Sequence, residues 1–326
     1  MTAVSRPASD TRSRRMTLAS VSDKPPVEPD RIFIYGVEKV GKSTFGACAP
    51  APVFISAERG LAELVPAPAH FPEAETFQDV LDAVEELTVG THSYLTLIID
   101  SLDWVERMIE TAVCARCKTK SGKPWTGEDF AAYGQGQKVA VEDWRKMILA
   151  LDRLQAAKGM EVILIAHATT KNFDDPTGIP FTRYQPQMAG NVGPMLVKQW
   201  AKSILFARFE YAVKEAEGYG KAKGTSTGRR VIYTQWSAAY DAGSRYELPP
   251  VLPLDYAEYQ KARDTGRTAS PDALETEARA LVARWAPDAA MLATVEESIK
   301  AASGNAPRLS RIVDRLSTKV AEKESA

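Results

Sequence analysis

Residues 34–46 read IYGVEKVGKSTFG, and no other stretch limits the fold of this chain so tightly. The segment matches Gly-x4-Gly-Lys-Ser, with Gly36, Gly41, Lys42 and Ser43 at the fixed positions. Glycine lets the backbone curl until successive N–H groups point at one polyphosphate, here from Gly36, Val37, Glu38, Lys39, Val40, Gly41, Lys42, Ser43 and Thr44. Lys42 then reaches the terminal phosphates, and the Ser43 hydroxyl can ligate Mg²⁺. Such a loop works only between a strand and a helix. The preceding RIFIYG is a short apolar strand, and the residues after Lys42 are expected to open a helix.

The next 170 residues keep that alternation. APVFIS (51–56), YLTLIID (94–100) and EVILIAH (161–167) are apolar strands, while TFQDVLDAVEEL (76–87) and VEDWRKMILALDRLQAA have helical spacing. Continuous apolar strands separated by helices predict an α/β fold with a mostly parallel sheet covered on both faces. Past residue 200, AKSILFARFEYAVKE and GRRVIYTQWSAAY read as strands around a basic, Gly-rich turn. From Ser270, a helix cap followed by Pro271, the chain reads as about three helices. Residues 1–30 are rich in Ser, Pro, Thr and charge without an aromatic residue, so they are expected to form a disordered arm. The predicted division is an arm over 1–30, a core over 31–265 and a helical bundle over 266–326.

Bulk properties exclude several classes. The net charge of −1 gives no global nucleic-acid signal, so any polyanion contact must come from local patches. No apolar run approaches the ~20 residues of a membrane span, and the leader lacks the apolar stretch of a secretory signal. Three cysteines do not suggest a disulfide framework, which points to a reducing cytoplasm. Cys114-x2-Cys117 lacks the second pair that zinc would need, and the two are expected to be buried helix thiols.

The other strand ends supply the remaining chemistry. Asp100 ends YLTLIID, where a nucleotide-binding sheet needs a carboxylate to hold Mg²⁺ through water. Asp103 and Glu106 fall on the following helix. In AAA-type motors a glutamate directly follows the magnesium aspartate, but here Ser101 does. Glu58, just past the second strand in VFISAERG, is the candidate general base if that strand neighbours the third. His167 ends the fourth strand, where a polar group can sense the terminal phosphate.

GVEKVGKST, VFISAERG, LIIDSLD and VILIAHATTK, in this order, resemble the RecA-like recombinase core, and most of all its phage-encoded forms, including single-strand-annealing recombinases. DFAAYGQGQ (129–137) and ARFEYAVKEA also look like that family, and the resemblance covers about residues 31–260. It implies a P-loop ATPase using ATP and Mg²⁺, with Glu58 as catalytic base, Asp100 at the metal and His167 as sensor. It also implies a homo-oligomer with nucleotide at subunit interfaces, where Arg245 in YDAGSRYELP would reach a neighbour's ATP. Family members bind DNA through a mobile loop after the sensor strand. Here that loop is 171–194, with Phe181, Arg183 and Tyr184 placed to stack on and neutralise single-stranded DNA. Lys221, Lys223, Arg229 and Arg230 form a second patch that faces no acidic residue in the sequence. The implied role is DNA-stimulated ATP hydrolysis in phage recombination or annealing, in a bacterial cytoplasm. The alternatives are a nucleotide-switched adaptor for a replication or packaging protein, held through the C-terminal helices, and a small-molecule phosphotransferase.

Overall fold

Among the described residues ten strands join one sheet in the order β10-β8-β7-β1-β5-β4-β2-β3, with β6 and β9 pairing off this path. The computed structural model describes Val21 and residues 28–324, except 59, 65–66, 175–177, 190–191, 215–222, 269–270, 286–288 and 304–305. Most of the expected arm, Lys221 and the Ser270 cap therefore lie outside the described residues. The strands are β1 (Arg31–Gly36), β2 (Pro52–Ser56), β3 (Ala69–His70), β4 (Thr96–Asp100), β5 (Glu161–Phe173), β6 (Phe181–Pro186), β7 (Ser203–Lys214), β8 (Lys223–Tyr233), β9 (Gly243–Ser244) and β10 (Val251–Pro253). From β3 to β7 along the sheet every pairing is parallel; β8 and β10 extend it antiparallel.

Among the described residues the helices are α1 (Lys42–Ala47), α2 (Phe77–Val89), α3 (Leu102–Arg116), α4 (Gly127–Ala131), α5 (Gln135–Lys158), α6 (Val192–Trp200), α7 (Tyr256–Thr268), α8 (Pro271–Trp285), α9 (Ala289–Ala301) and α10 (Ala306–Glu324). Side chains alternate across the sheet, so β1 feeds two cores. Phe33 and Tyr35 join α2, α3 and α5 through Val84, Ile109 and Trp144. Ile32 and Ile34 face the opposite side, with Phe45 of α1 and Tyr256 and Tyr259 of α7. All four β1 residues are fully buried, at roughly 1.5–3 kcal/mol each, so the strand bearing the Gly-rich loop is a rigid base. Among the described residues no helix is long and apolar enough to cross a membrane.

Two expectations change here. Segment 171–194 is not a loop throughout: β5 continues to Phe173 and pairs with β6 from Ala168↔Pro186 to Phe173↔Phe181. Its Gly, Pro and polar content suggested a loop, but TTKNF and FTRYQP close into an antiparallel hairpin. The boundary at 265 also cuts through α7, which belongs to the core. Tyr259 donates to Ser203 Oγ at 2.9 Å, and the buried Arg263 pairs with Asp30 and Glu161. Helices α8 to α10 instead share a cluster of their own, including Leu274, Val282, Ile299, Leu309 and Leu316.

Breaking a buried ion pair by removing one partner leaves the other charge uncompensated. Arg263→Ala should therefore lower the unfolding free energy by ~3–5 kcal/mol in chemical denaturation. Truncation after residue 268 should leave that unfolding transition in place.

Candidate active site

Parallel register carries the loop and three strand ends to one edge of the sheet. Gly36 is level with His167 on β5 and with Ala207 on β7. A Cβ at Gly36 would stand 2.1 Å from the Ala207 carbonyl oxygen, so only glycine fits where the loop leaves the sheet. Val37 N–H then donates to that carbonyl at 3.1 Å. Gly41 has φ 108°, a value that L side chains rarely adopt, and it leads directly into α1.

Lys42 is buried, and its Nζ donates to the carbonyls of Gly36 and Val37, at 3.0 Å each. Burial pulls its ammonium below the ordinary lysine range, against the opposing pull of Asp100, Asp103, Glu58 and Glu38. Ser43 Oγ donates to Asp100 Oδ2 at 2.5 Å, joining the loop to the end of β4 across the width of β5. Asp100 is buried, which pushes its carboxyl up, while the Ser43 hydrogen bond and Lys42 pull it down.

β2 does neighbour β4, as a base on Glu58 requires. Asp100 is level with Ser56 on one side and Ile165 on the other. Glu58 and His167 each lie two residues beyond that line, so they flank the end of β4. Their side chains meet there, Glu58 Oε1 4.0 Å from His167 Nε2. Ala57 N–H donates to the Asp100 carbonyl at 2.8 Å, and Ser56 Oγ donates to the Glu58 carbonyl, fixing the turn that aims Glu58. Burial raises the Glu58 carboxyl above the ordinary range, with His167 opposing.

Asp103 is the residue that strand-end reasoning passed over. It sits in the first turn of α3 but is buried, and its carboxylate accepts from the His167 backbone N–H at 3.1 Å. The same carboxylate lies 3.1 and 3.2 Å from His167 Nδ1. Burial alone would raise the Asp103 carboxyl, but the hydrogen bonds from His167 hold it below the usual range. In return, the hydrogen bond to Asp103 raises the imidazole, with burial opposing.

The metal implied by this loop fits the residues present. Ser43 and Asp100 offer hard oxygen donors already in contact, which suits Mg²⁺. Among the described residues no cluster of three or more His, Cys, Asp or Glu forms a protein-only cage. Such an ion would therefore depend on phosphate oxygens and water, as Mg²⁺ sites commonly do.

The expected DNA-binding residues fare differently. Arg183 is only 5% exposed and pairs with Asp241, with its guanidinium over the rings of Phe173 and Trp236. Tyr184 packs on Phe206 at 5.0 Å between ring centroids, within the core. Both serve the hairpin's own packing, so neither is free to stack on a base. Phe181 alone of the three lies at the hairpin end, against Phe173. Arg229 does meet an acidic residue, Glu210, at 2.7 Å, and Arg230 lies beside Gly41. Lys223 lies on β8 beside residues 215–222, which are not among those described. Arg245 is exposed, and its N–H bonds to the carbonyl of Lys202, just before β7 begins. That is the sheet edge opposite the loop, so Arg245 cannot reach the nucleotide of its own chain. Cys114 and Cys117 are half-buried free thiols rather than fully buried ones.

The family model described as AAA domain matches residues 28–246, two thirds of the chain. No curated protein gives a significant match.

Asp103→Asn should return the His167 pKa toward the ordinary value of ~6.5, read by NMR titration of the imidazole. A raised folded-state pKa stabilises below ~6.5 and loses that contribution as pH climbs through the folded value. The stability gap between wild type and Asp103→Asn should therefore be larger at pH 6 than at pH 9.

Proposed function

The chain belongs to the AAA domain family of P-loop ATPases, and from that premise we propose that it hydrolyses Mg-ATP in the RecA-like manner. In this reading the base stands on a neighbouring strand rather than directly after Asp100. The observation that carries the reading is Glu58, brought by register to one side of Asp100 and into contact with His167 on the other.

The chemistry follows from these groups. Lys42 Nζ would exchange the carbonyls of Gly36 and Val37 for β- and γ-phosphate oxygens. Ser43 would ligate Mg²⁺, with Asp100 holding it through water; the ion supplies charge neutralisation across those oxygens. Glu58, its proton affinity raised by burial, would orient a water in line with the γ-phosphorus and accept its proton. The products are ADP and inorganic phosphate. His167, held by Asp103, lies against Glu58 and would register whether the γ-phosphate is present.

Single-stranded DNA is the proposed effector. Support comes from continuity: β5 runs from His167 straight into the hairpin that ends at Phe173 and Phe181, so a ligand on the hairpin can move the sensor. Recombination or annealing in a phage setting is the corresponding role. The contact would lie at the hairpin end, with Lys221 and Lys223, rather than at Arg183 and Tyr184. A second reading, a nucleotide-switched adaptor, is favoured by the separate core of α8–α10, which offers a module for a protein partner. Assembly with a neighbour whose Arg245 reaches the ATP belongs to the first reading.

Lys42→Ala should abolish tight Mg-ATP binding. Glu58→Gln should retain binding but hydrolyse at least ~100-fold more slowly. Single-stranded DNA should accelerate wild-type turnover, and Phe181→Ala should reduce the ratio of stimulated to basal rate. Hydrolysis indifferent to DNA, with no binding at low salt, would favour the adaptor.

A further inference from the structure

The side of the phosphate loop away from Asp100 carries a cation that the hydrolytic machinery does not use. β8 runs antiparallel to β7, with Ile232 level with Ala207 and Arg230 level with Phe209. Since Ala207 is level with Gly36, Arg230 and Phe209 lie two residues beyond the point where the loop leaves the sheet. Ile232 packs with Val40 and Phe45 on the face that carries α1. Arg230, two residues away, faces the same side. A Cβ placed on Gly41 would lie 3.0 Å from Arg230 Nη1 and 3.7 Å from Leu254 Cδ2. The position of Arg230 is also fixed, because its carbonyl accepts from Leu254 N–H at 2.9 Å.

Electrostatics makes this placement informative. Arg229, the adjacent residue, is neutralised by Glu210, whereas among the described residues no ion pair involves Arg230. Its guanidinium is exposed and stands beside a loop whose N–H groups and lysine already form a positive field. A cation held there is repelled unless an anion joins it. A polyphosphate in the loop is such an anion, and a planar guanidinium can donate two parallel hydrogen bonds to it.

We propose that Arg230 is a nucleotide-contacting residue supplied by the same chain, which meets the phosphates of ATP from the Gly41 side of the loop. Phe209, 37% exposed beside it, continues that wall away from the phosphates and offers a ring face to the rest of the nucleotide. The proposal rests on the ATPase reading above, and it takes Arg230 from the DNA patch to the nucleotide site.

The test is calorimetric titration of wild type, Arg230→Ala, Arg230→Lys and Arg229→Ala with the non-hydrolysable analogue AMP-PNP and Mg²⁺. Thermal unfolding of each variant checks that it is folded. Arg230→Ala should bind about tenfold more weakly or worse, the scale of a lost charge-assisted hydrogen bond. Arg230→Lys should recover part of the loss, and Arg229→Ala should stay within about twofold of wild type. The loss in Arg230→Ala should shrink between 0.1 M and 1 M salt, as the screening length falls from about 10 Å to about 3 Å. Arg230→Ala binding within about twofold of wild type at low salt would overturn the proposal. So would an equal loss in Arg229→Ala, which would mean a general field rather than a contact. Those outcomes leave the ATPase reading standing; a wild type that does not bind the analogue removes both.

Discussion

Everything at this site depends on the parallel register of β2, β4, β5 and β1. Pairing Ser56 with Asp100, Asp100 with Ile165 and Gly36 with His167 sets the heights of all the functional groups before any side chain is considered. A slip of one residue in any of these ladders would turn the apolar side chains to the wrong core and the polar strand ends away from the loop. The cores on both faces enforce the register, because Leu97, Ile98, Ile99, Val162, Ile163 and Leu164 are all fully buried. The hydrophobic effect thus positions the carboxylates of Asp100 and Glu58 without acting on them directly.

Placing β5 between the loop strand and Asp100 has a chemical consequence. The gap it leaves is spanned by Ser43 reaching Asp100 and by His167 reaching Asp103 and Glu58. Burial raises the Glu58 and Asp100 carboxyls and the neighbouring carboxylates add to that, whereas the hydrogen bonds from His167 hold Asp103 below the usual range. Lys42 and His167 offset the rise. Buried charges cost several kcal/mol each unless paired, so the cluster is arranged as compensating partners. Entry of a polyphosphate would draw Lys42 toward new oxygens and shift that balance toward Glu58 and His167. This is a direct route by which nucleotide state could be felt at the start of the β5–β6 hairpin.

Much of this was legible in the sequence because strand ends announce themselves. A continuous apolar run followed by Asp, Glu or His identifies both the strand and the group at its edge, as with Asp100 and His167. The position of Glu58 needed only the further assumption that β2 neighbours β4. What the sequence hid were partners far apart along the chain. Arg183 reads as a free cation among polar residues, and nothing local reveals that Asp241 will neutralise it. Arg230 reads as one member of a basic turn, yet the β7–β8 register carries it to Gly41, far away in sequence. Asp103 was visible as a helical residue but not as a partner of His167, because helical spacing says which face a residue occupies and not which strand end lies beneath it. The extension of β5 was masked by composition: Thr, Lys and Asn in an exposed strand look like loop residues until their antiparallel partner is known.

The central claim is that Glu58, standing beside Asp100 and against His167, is the base that orients the attacking water. A crystal structure with Mg²⁺ and a γ-phosphate mimic tests it most directly. The account predicts an ordered water in line with the γ-phosphorus and within hydrogen-bond reach, ~2.6–3.2 Å, of the Glu58 carboxylate. A Glu58 turned away from the phosphate, with that water held by Asp103 or another carboxylate, would contradict it.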